Sequence, residues 1–415
     1  MNKIKLALIG AGQRGKDIYG DYALDYPERI QFVAVAEPNP IKREEFSKKH
    51  KIAQEMQFES WEELLERDKF CDGVVIATPD NMHFGPGKLA LEKDYHILME
   101  KPMSKDPAEI MELGRLANEK KNVFIISHVL RYTPYFAKIK EIIDSGIIGE
   151  VQSIQHNENV GYYHFAHSFV RGNWNNSDKS SPFILQKSCH DMDILLWITG
   201  QSCKRIASFG SLGYFNKENK PEGEGSRFTD YPQEAEGPYS PYKLYYPNIG
   251  KWPTTAVTEI QTKEAVDKAL KEGPYGLSIY GECDNNVVDH QATILEFDRG
   301  TTVTFNLSAF SAVDHRTTRV MGTLGDIIAD DYLNEVQYRV FGEDDRTIVN
   351  PKVITGGHGG GDTGLMNEFV SLILEGGEGL SSADKSVESH MMALAAEEAR
   401  LTGTVVNLEE YYKKF

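Results

Sequence analysis

A glycine-rich turn near the amino terminus constrains the fold of this chain more than any other feature. The residues GAGQRG, at positions 10–15, directly follow an apolar run, Lys3–Ile9, and precede a helical pattern. In this context the first glycine permits a tight turn, the second lets a pyrophosphate approach the backbone, and the third lets helix and strand pack closely. The phosphates then lie at the helix amino terminus. The predicted dinucleotide contacts in this turn are Gly10, Gly12, Gln13, Arg14 and Gly15.

Glu37 indicates which dinucleotide this turn binds. It ends a second predicted strand, Gln31–Ala36, 22 residues after Gly15. A carboxylate at this place accepts hydrogen bonds from the ribose hydroxyls, and it repels a 2′-phosphate. The sequence therefore predicts NAD as the cofactor, with NADP less favoured. The alternative is a glycine turn beside an unrelated glutamate.

The first 127 residues alternate strand and helix patterns. Further apolar runs predict strands at Asp72–Ala77, His96–Met99 and Val123–Ser127, and Ser60 and Asp106 are predicted to cap helices between them. This alternation predicts an α/β domain over residues 1–127, with a parallel sheet covered on both faces.

From residue 128 to 415 the pattern changes and predicts a second domain. Its predicted strands are Val151–His156 and Thr301–Leu307, and the latter has the two-residue period of an antiparallel sheet. Its predicted helices are 133–145, Gln186–Thr199, Leu365–Leu374 and Asp384–Thr402. A segment at about 216–253 is rich in Gly, Pro and Tyr, and we expect a surface insertion there.

Composition excludes several classes of partner. The chain has 415 residues, with 45 Lys and Arg against 62 Asp and Glu, for a formal net charge of −17. Such a charge disfavours nucleic acid and anionic membranes, and no apolar run approaches the roughly 20 residues of a membrane span. The four cysteines form no C-x-x-C pair, which favours free thiols, and the apolar run of the first 12 residues is shorter than a signal peptide requires, so no signal peptide is expected. We therefore expect a cytoplasmic protein without a bound metal.

Two elements carry candidate catalytic residues. Lys101, in Glu100-Lys101-Pro102, follows a strand of the predicted parallel sheet, where ligands of such sheets bind. On the helix that begins near residue 186, Lys187 and His190 lie three residues apart and share a face. A histidine beside a lysine suits proton transfer at neutral pH. The alternatives are a solvated surface lysine and a structural histidine.

These motifs, together with the segments Ala77–His83 and Met99–Pro102 and the sequence His-Asp-Met-Asp at 190–193, resemble the Gfo/Idh/MocA family. The resemblance covers nearly the whole chain. It implies a Rossmann domain followed by an α/β domain whose open, mostly antiparallel sheet carries the substrate face and often an oligomer interface. It also implies that Lys101 and His190 serve in proton transfer. The resemblance further implies five residues that line the cofactor site: Thr78, Pro79, His83, Glu100 and Lys101.

The chain departs from the family pattern in two places. Many members have an aspartate where Gln186 stands, so more of the base chemistry falls on His190, Lys101 or Lys187. The insertion lacks the cysteines found in related sequences.

Mixed aromatic and hydrogen-bonding side chains predict further substrate contacts, although an aromatic core loop is an equal alternative. These candidates are Arg131, Tyr162, Tyr163, His164, Arg171, Trp174, Lys187 and His358, with Asp362 beside the last.

Three functions fit this sequence. The first is an NAD(P)-dependent oxidoreductase that moves a hydride between nicotinamide and a hydroxyl of a sugar, amino sugar or cyclitol. The second is an NAD-dependent glycoside hydrolase that acts by transient oxidation, elimination and re-reduction. The third is a non-catalytic NAD-sensing protein. A homodimer or homotetramer is expected in each case, with a small-molecule carbohydrate or cyclitol as the ligand.

Overall fold

The computed structural model describes residues 3–230, 232–234, 236–354 and 357–415. Its first part contains strands β1 Ile4–Ile9, β2 Ile30–Ala36, β3 Gln57–Phe58, β4 Gly73–Ile76, β5 His96–Met99 and β6 Phe124–Ile126. The helices of this part are α1 Asp21–Asp25, α2 Pro40–His50, α3 Trp61–Glu66, α4 Phe84–Glu92, α5 Pro107–Glu119 and α6 Pro134–Asp144, and a π-helical turn covers Arg14–Gly20.

The second part contains longer strands. They are β7 Val151–Gly161, β8 Cys203–Ser211, β9 His290–Phe297, β10 Thr302–Ser311, β11 His315–Gly322, β12 Gly325–Asp330, β13 Glu335–Val340, β14 Thr347–Val349 and β15 Val406–Asn407. Its helices are α7 Tyr162–Phe165, α8 Phe183–Thr199, α9 Pro241–Leu244, α10 Lys263–Glu272, α11 Gly361–Glu375, α12 Ala383–Thr402 and α13 Leu408–Tyr412.

The first sheet is parallel and has the strand order β3-β2-β1-β4-β5-β6. This is the order of a doubly wound dinucleotide-binding fold, so the predicted Rossmann sheet is confirmed. Its strands are apolar because helices cover both faces. The carboxyl ends of β1, β2, β4 and β5 meet at one edge, and the residues that follow them form the candidate site.

Side-chain caps begin two of the helices where the sequence predicts them. The Ser60 hydroxyl accepts a hydrogen bond from the Glu63 amide at 3.2 Å, and the Asp106 carboxylate accepts one from the Ala108 amide at 2.8 Å. Each cap satisfies an amide that has no partner inside its helix. Helices α3 and α5 therefore start directly after these two residues.

The second sheet has nine strands in the order β14-β13-β12-β11-β7-β10-β9-β8-β15. Every adjacent pair is antiparallel except β7 and β10, so the predicted open, mostly antiparallel sheet is confirmed. Buried and exposed residues alternate along β9 and β10. One face of the sheet therefore carries the core under α8 and α12, and the other face is open.

Helix α11 returns to the first sheet although it follows the second along the chain. Its residues Leu365, Met366 and Phe369 are buried in the same apolar cluster as Leu6 and Leu8 of β1. This packing brings the loop before α11 to the glycine-rich turn, because the helix lies across one face of the first sheet.

The segment between β8 and β9, residues 212–289, is longer than the insertion expected at 216–253. Its residues Phe215, Phe228, Leu244 and Tyr245 are buried, so it contributes to the core rather than only to the surface. Aromatic side chains drive this burial, since each removes a large apolar area from water. In the described part of the chain, no helix combines the length and apolar character needed to cross a bilayer.

Candidate functional site

The glycine-rich turn leaves an open cradle at the edge of the first sheet. Gly10 has a φ of +92°, and a Cβ there would lie 2.7 Å from the Ala77 carbonyl oxygen. A Cβ on Gly15 would lie 2.1 Å from the Gly10 oxygen, whereas one on Gly12 would meet nothing within 4 Å. The first and third glycines thus serve close packing, and Gly12 faces free space. These residues fit a dinucleotide, whose pyrophosphate needs such an opening.

Glu37 lies directly beside this turn, at the end of β2. Its carboxylate oxygens accept hydrogen bonds from the amides of Ala11, at 2.8 Å, and Asn39, at 2.9 Å. These two bonds hold the carboxylate against the turn. The structure therefore brings the predicted ribose-binding carboxylate and the predicted phosphate-binding turn together.

Arg14 links the turn to two other elements. Its Nε donates to Glu100 after β5 at 2.6 Å, and its Nη2 donates to Asp362 at the start of α11 at 2.7 Å. Asp362 also lies 3.0 Å from Nδ1 of His358. The side chain of Arg14 therefore crosslinks the turn to the residues after β5 and to the start of α11, and Gln13 directly precedes it in the turn.

Glu100 is the buried centre of this crosslink. It accepts hydrogen bonds from Arg14, from the Tyr19 hydroxyl and from Ser127, the last at 2.7 Å. Burial by itself raises the pKa of this carboxyl, but Arg14 and the Tyr19 hydroxyl lower the pKa to about 2. Glu100 is therefore ionised throughout the neutral range, and it fixes the position of Lys101 rather than exchanging protons.

Lys101 reaches from the first sheet to the second domain. Its amide donates to the Ser127 hydroxyl at 3.0 Å, and its Nζ donates to the Gln186 carbonyl oxygen of α8 at 2.7 Å. The Lys101–Pro102 peptide is cis. The predicted lysine thus stands at the carboxyl edge of the first sheet, in contact with the predicted catalytic helix.

The loops that follow β4 and β5 are joined through His83. Its ring nitrogens lie 2.6 Å from the Pro102 carbonyl oxygen and 2.8 Å from that of Thr78. Thr78 and Pro79 form the turn after β4, directly beside Gly10. The predicted cofactor-side residues of both loops therefore lie at one edge and support one another.

His190 is buried in α8, with 7% of its surface exposed. Its Nδ1 has no hydrogen-bond partner among the described residues, and its ring centroid lies 5.6 Å from that of His128 and 6.3 Å from that of His358. Burial lowers the pKa of His190 well below its usual value, and Lys101 and the neighbouring histidines lower it further. His190 is therefore a neutral imidazole that can accept a proton.

The two aspartates that follow His190 serve other partners. Asp193 binds the Arg131 guanidinium with both oxygens, at 2.6 and 2.7 Å, and Arg131 also donates to the Leu380 carbonyl oxygen. Asp191 binds Arg316 at 2.6 Å and His156 at 3.0 Å. The structure does not bring Arg131 to the substrate side, because its donors are taken by this buried pair.

A second histidine, His164, stands at the same side of the site in α7. Its Nδ1 lies 2.9 Å from Asp314, which also accepts hydrogen bonds from the Tyr163 hydroxyl at 2.9 Å and the Gly161 amide at 3.0 Å. Burial and the charge of Lys187 lower the pKa of His164, although its hydrogen bond with Asp314 opposes this shift. The ring is therefore neutral and carries its proton on Nδ1, which leaves Nε2 as an acceptor.

Lys187 connects His164 to a buried charge cluster. Its Nζ lies 3.4 Å from Glu158 of β7 and 4.0 Å from Asp314. Glu158 also pairs with Arg316 at 2.7 Å. Burial raises the pKa of Glu158 to about 7, although Arg316 and Lys187 oppose this shift. The side-chain nitrogen of Lys187, a predicted substrate contact, therefore lies between the carboxyl groups of Glu158 and Asp314.

The remaining predicted substrate contacts divide into two groups. Tyr162 lies beside Tyr163, with 5.5 Å between ring centroids, and His358 is partly exposed beside His190. Arg171, in contrast, is fully buried and donates to Glu236 and to the carbonyl oxygens of Tyr239 and Leu277. Trp174 donates to Asp80 at 3.0 Å. Arg171 therefore lies within the protein interior, and the Nε1 of Trp174 binds a protein group in the loop after β4.

Sequence reasoning missed several residues of the site. Asp314 lies in the turn after β10, Glu158 lies within β7, and Trp252 lies in the 212–289 segment. No local motif marks any of them, because tertiary packing alone brings each one to α7 or α8. Among the residues that the structure describes, no group of three His, Cys, Asp or Glu side chains is placed to hold a metal ion.

Comparison with known proteins defines the class of this fold and site. Residues 4–128 match the model of an oxidoreductase family with an NAD-binding Rossmann fold, and residues 140–408 match the model of that family's C-terminal alpha/beta domain. The chain belongs to the Gfo/Idh/MocA oxidoreductase family.

Individual relatives are distant. The Bacillus subtilis protein YteT is 25% identical over 329 residues, which cover 75% of this chain and 74% of that protein. The scyllo-inositol 2-dehydrogenase (NADP(+)) IolW of the same organism is 24% identical over 37% of this chain and 41% of its own length. A structure of levoglucosan dehydrogenase with NADH and L-sorbose is 18% identical, covers 98% of this chain and 99% of that one, and superposes with a TM-score of 0.73.

Proposed function

We propose that this protein is an NAD-dependent dehydrogenase that oxidises a ring hydroxyl of a sugar, amino sugar or cyclitol. The observation that carries the proposal is the approach of Lys101 to α8. A lysine from the cofactor edge donates to that helix at Gln186, and its charge helps to keep His190 neutral one turn further along. A neutral imidazole can accept a proton, and a fixed cation beside it stabilises the oxyanion that deprotonation of a hydroxyl leaves.

Two residues of the chain have different roles in removing the hydroxyl proton. Bound NAD⁺ supplies the hydride acceptor. His190 accepts the hydroxyl proton, and the Lys101 ammonium stabilises the negative charge that develops on the oxygen. Glu100 and Ser127 hold the Lys101 backbone, while Thr78, Pro79 and His83 shape the neighbouring cofactor wall.

The proposal includes NAD rather than NADP as the preferred cofactor. Glu37 supports it, because its fixed carboxylate would repel a 2′-phosphate. Replacing Glu37→Ser is expected to lower the ratio of kcat/KM with NAD⁺ to that with NADP⁺ by about tenfold or more, the scale of one hydrogen-bonded charge. An unchanged ratio would remove Glu37 from cofactor selection.

A second candidate is an NAD-dependent glycoside hydrolase without net redox change. Elimination of an aglycone requires a second base for the C–H bond beside the oxidised carbon. His164 favours this candidate, because Asp314 bonds its Nδ1 and no hydrogen bond joins its Nε2 to the described residues. Tyr162 and Tyr163 lie next to it in α7.

One experiment separates these functions. The purified protein is mixed with NAD⁺ and a panel of free sugars, cyclitols and aryl glycosides, while NADH and aglycone are followed together. NADH that rises with a free sugar or cyclitol is the expected result. Aglycone release that requires NAD⁺ but leaves no NADH would replace the dehydrogenase with the hydrolase. Retention of NAD without turnover of any compound would favour a sensing protein.

The open face of the second sheet supports self-association into a homodimer or homotetramer. Phe209, Ile294 and Phe310, on the adjacent strands β8, β9 and β10, are 69%, 56% and 47% exposed. Exposed apolar residues on a flat sheet face are typical of an interface. We expect light scattering to show more than one chain per particle, and Phe209→Lys with Ile294→Lys to reduce the mass to one chain.

A further inference from the structure

The 212–289 segment delivers one aromatic side chain, Trp252, to the substrate side of the site. Its ring centroid lies 5.1 Å from that of His164, 6.0 Å from that of Tyr163 and 5.4 Å from that of His167. Two of these neighbours are the α7 residues that Asp314 holds. Trp252 therefore stands beside the hydrogen-bonding groups of the site, although it is about 90 residues away along the chain.

The backbone around Trp252 is held by buried contacts. The Thr254 hydroxyl donates to the Tyr245 carbonyl oxygen at 2.7 Å, and the Tyr245 hydroxyl lies 3.2 Å from His167. Arg171 and Glu236 form a fully buried ion pair between the segment and the helical turn that follows α7. The indole thus has a fixed position before any ligand binds, which lowers the entropic cost of binding.

The indole keeps both a polar atom and a flat surface available. Trp252 is partly exposed, and no hydrogen bond joins its Nε1 to any of the described residues. Its three ring neighbours meet it at 71–81°, so no described ring stacks flat against it. Trp174 differs, because its Nε1 donates to Asp80.

Trp252 adjoins groups that can bind hydroxyls and that reach the catalytic pair. The hydrogen bond that His164 makes to the described residues is that of its Nδ1 with Asp314, and the Lys187 Nζ lies 4.0 Å from the same carboxylate. Lys187 directly follows Gln186, whose carbonyl oxygen accepts a hydrogen bond from Lys101 at 2.7 Å, and His190 lies on the same helix. A ligand with one hydroxyl at Lys101 and His190 therefore has an aromatic wall within reach of its ring.

We propose that Trp252 is the aromatic platform of the substrate site and selects cyclic polyols over open-chain polyols. The C–H face of a pyranose or cyclitol ring packs on the indole, while Nε1, His164 and Lys187 contact its hydroxyls. An open-chain polyol has no flat apolar face, and it loses more conformational entropy on binding than a ring does. This inference rests on the proposed function for the site, but it concerns binding and is tested without turnover.

The test measures the affinity of the NAD⁺-loaded protein by calorimetry for myo-inositol, methyl β-D-glucopyranoside and D-sorbitol. The expected result is saturable binding of a cyclic probe and weaker binding of sorbitol. Trp252→Ala should weaken binding of the cyclic probe by about tenfold or more and leave that of sorbitol within about threefold, since the variant loses the indole face, which only a ring can stack on, together with Nε1. Trp252→Phe keeps a flat ring and should retain most of the affinity.

Controls separate this role from a structural one. Trp61→Phe changes a tryptophan of α3 in the first domain and should leave all three affinities unchanged. The NAD⁺ affinity and the melting temperature of Trp252→Phe should match those of the parent protein. Equal losses for cyclic and open-chain probes, or failure of both cyclic probes to bind the parent protein, would overturn the proposal. Binding that depends on Trp252 without turnover of any probe would keep it and overturn the proposed dehydrogenase.

Discussion

At the scale of single residues, Lys101 and His190 illustrate how position determines chemical role. Lysine is usually a solvated surface residue, and a buried histidine is usually structural. Here the lysine follows a strand of the cofactor edge and bonds to the helix that carries the histidine. Its charge, together with burial, favours the neutral imidazole at physiological pH.

Replacing Lys101→Met should therefore impair chemistry more than cofactor binding. We expect kcat to fall by about a hundredfold or more, the usual contribution of a group in the proton-transfer step, because the developing oxyanion loses its cation. The dissociation constant of NAD⁺ should change by less than about threefold on a calorimetric titration. Lys88→Met, at a half-buried lysine of α4 that pairs with Glu112, is the matched control. Equal losses in turnover and NAD⁺ binding would contradict the assigned role.

Gln186 offers a second test of the neutral His190. Gln186→Asp adds a negative charge one helical turn before the histidine, and a nearby carboxylate favours the imidazolium. The pKa of His190 should rise, so the acidic limb of the kcat/KM profile should move to higher pH by about one unit. Gln186→Asn keeps the position neutral and should leave the limb in place. A limb that does not move in the aspartate variant would show that another group is the base.

At the scale of elements, α8 shows that a sequence motif predicts which residues share a helix, but not which other elements their side chains contact. The spacing of Gln186, Lys187 and His190 correctly places them on one helix. Nearly every side chain of α8 is buried, however, so each polar residue must find a partner on a different element. Asp191 faces β7 and β11, while Asp193 faces the turn after β6.

The 212–289 segment depends on one buried ion pair, that of Arg171 with Glu236. Glu236→Gln removes the carboxylate charge that faces the buried guanidinium, and breaking such a pair costs about 3–5 kcal/mol. We expect a lower melting temperature and faster proteolytic cleavage within residues 212–289. Glu234→Gln changes an exposed neighbour and should alter neither quantity. Unchanged cleavage in the Glu236 variant would show that other contacts suffice to hold the segment.

At the scale of the whole molecule, buried histidines predict how stability depends on pH. Burial lowers the pKa of His167 and His390 to about 3 each, whereas an unfolded histidine has a pKa of about 6.5. Below pH 6.5 the unfolded chain therefore binds protons that the folded chain excludes, and stability falls as the pH falls. At pH 5 each such histidine costs about 2 kcal/mol.

The melting temperature should accordingly decrease between pH 6.5 and pH 5, where carboxylates of ordinary pKa remain ionised. The raised pKa of Glu158 acts in the opposite direction, but it is one group against several buried histidines. His390→Gln should reduce this decrease, because one proton uptake is removed. Thermal unfolding followed by circular dichroism across pH 5–8 measures both effects. A melting temperature that is constant over this range would mean that the histidines titrate normally in the folded chain.

Much of the fold follows from local patterns. Short apolar runs predicted five strands of the first sheet to within one or two residues, and Ser60 and Asp106 predicted where α3 and α5 begin. These patterns are readable because strand burial, helix capping and turn geometry depend on residues close together along the chain. β3 was missed, because a strand of two residues has no period.

The sequence by itself determined the glycine-rich turn, Glu37, Lys101 and the helix with His190, since each depends on neighbouring residues and on the shared edge of a parallel sheet. Only the tertiary structure decided that Arg131 and Arg171 bind Asp193 and Glu236, that Asp314 orients His164, and that Trp252 reaches the site. These contacts join residues far apart along the chain. Their pairing depends on which buried charges and rings meet when the two sheets and the 212–289 segment pack, and no local pattern encodes that choice.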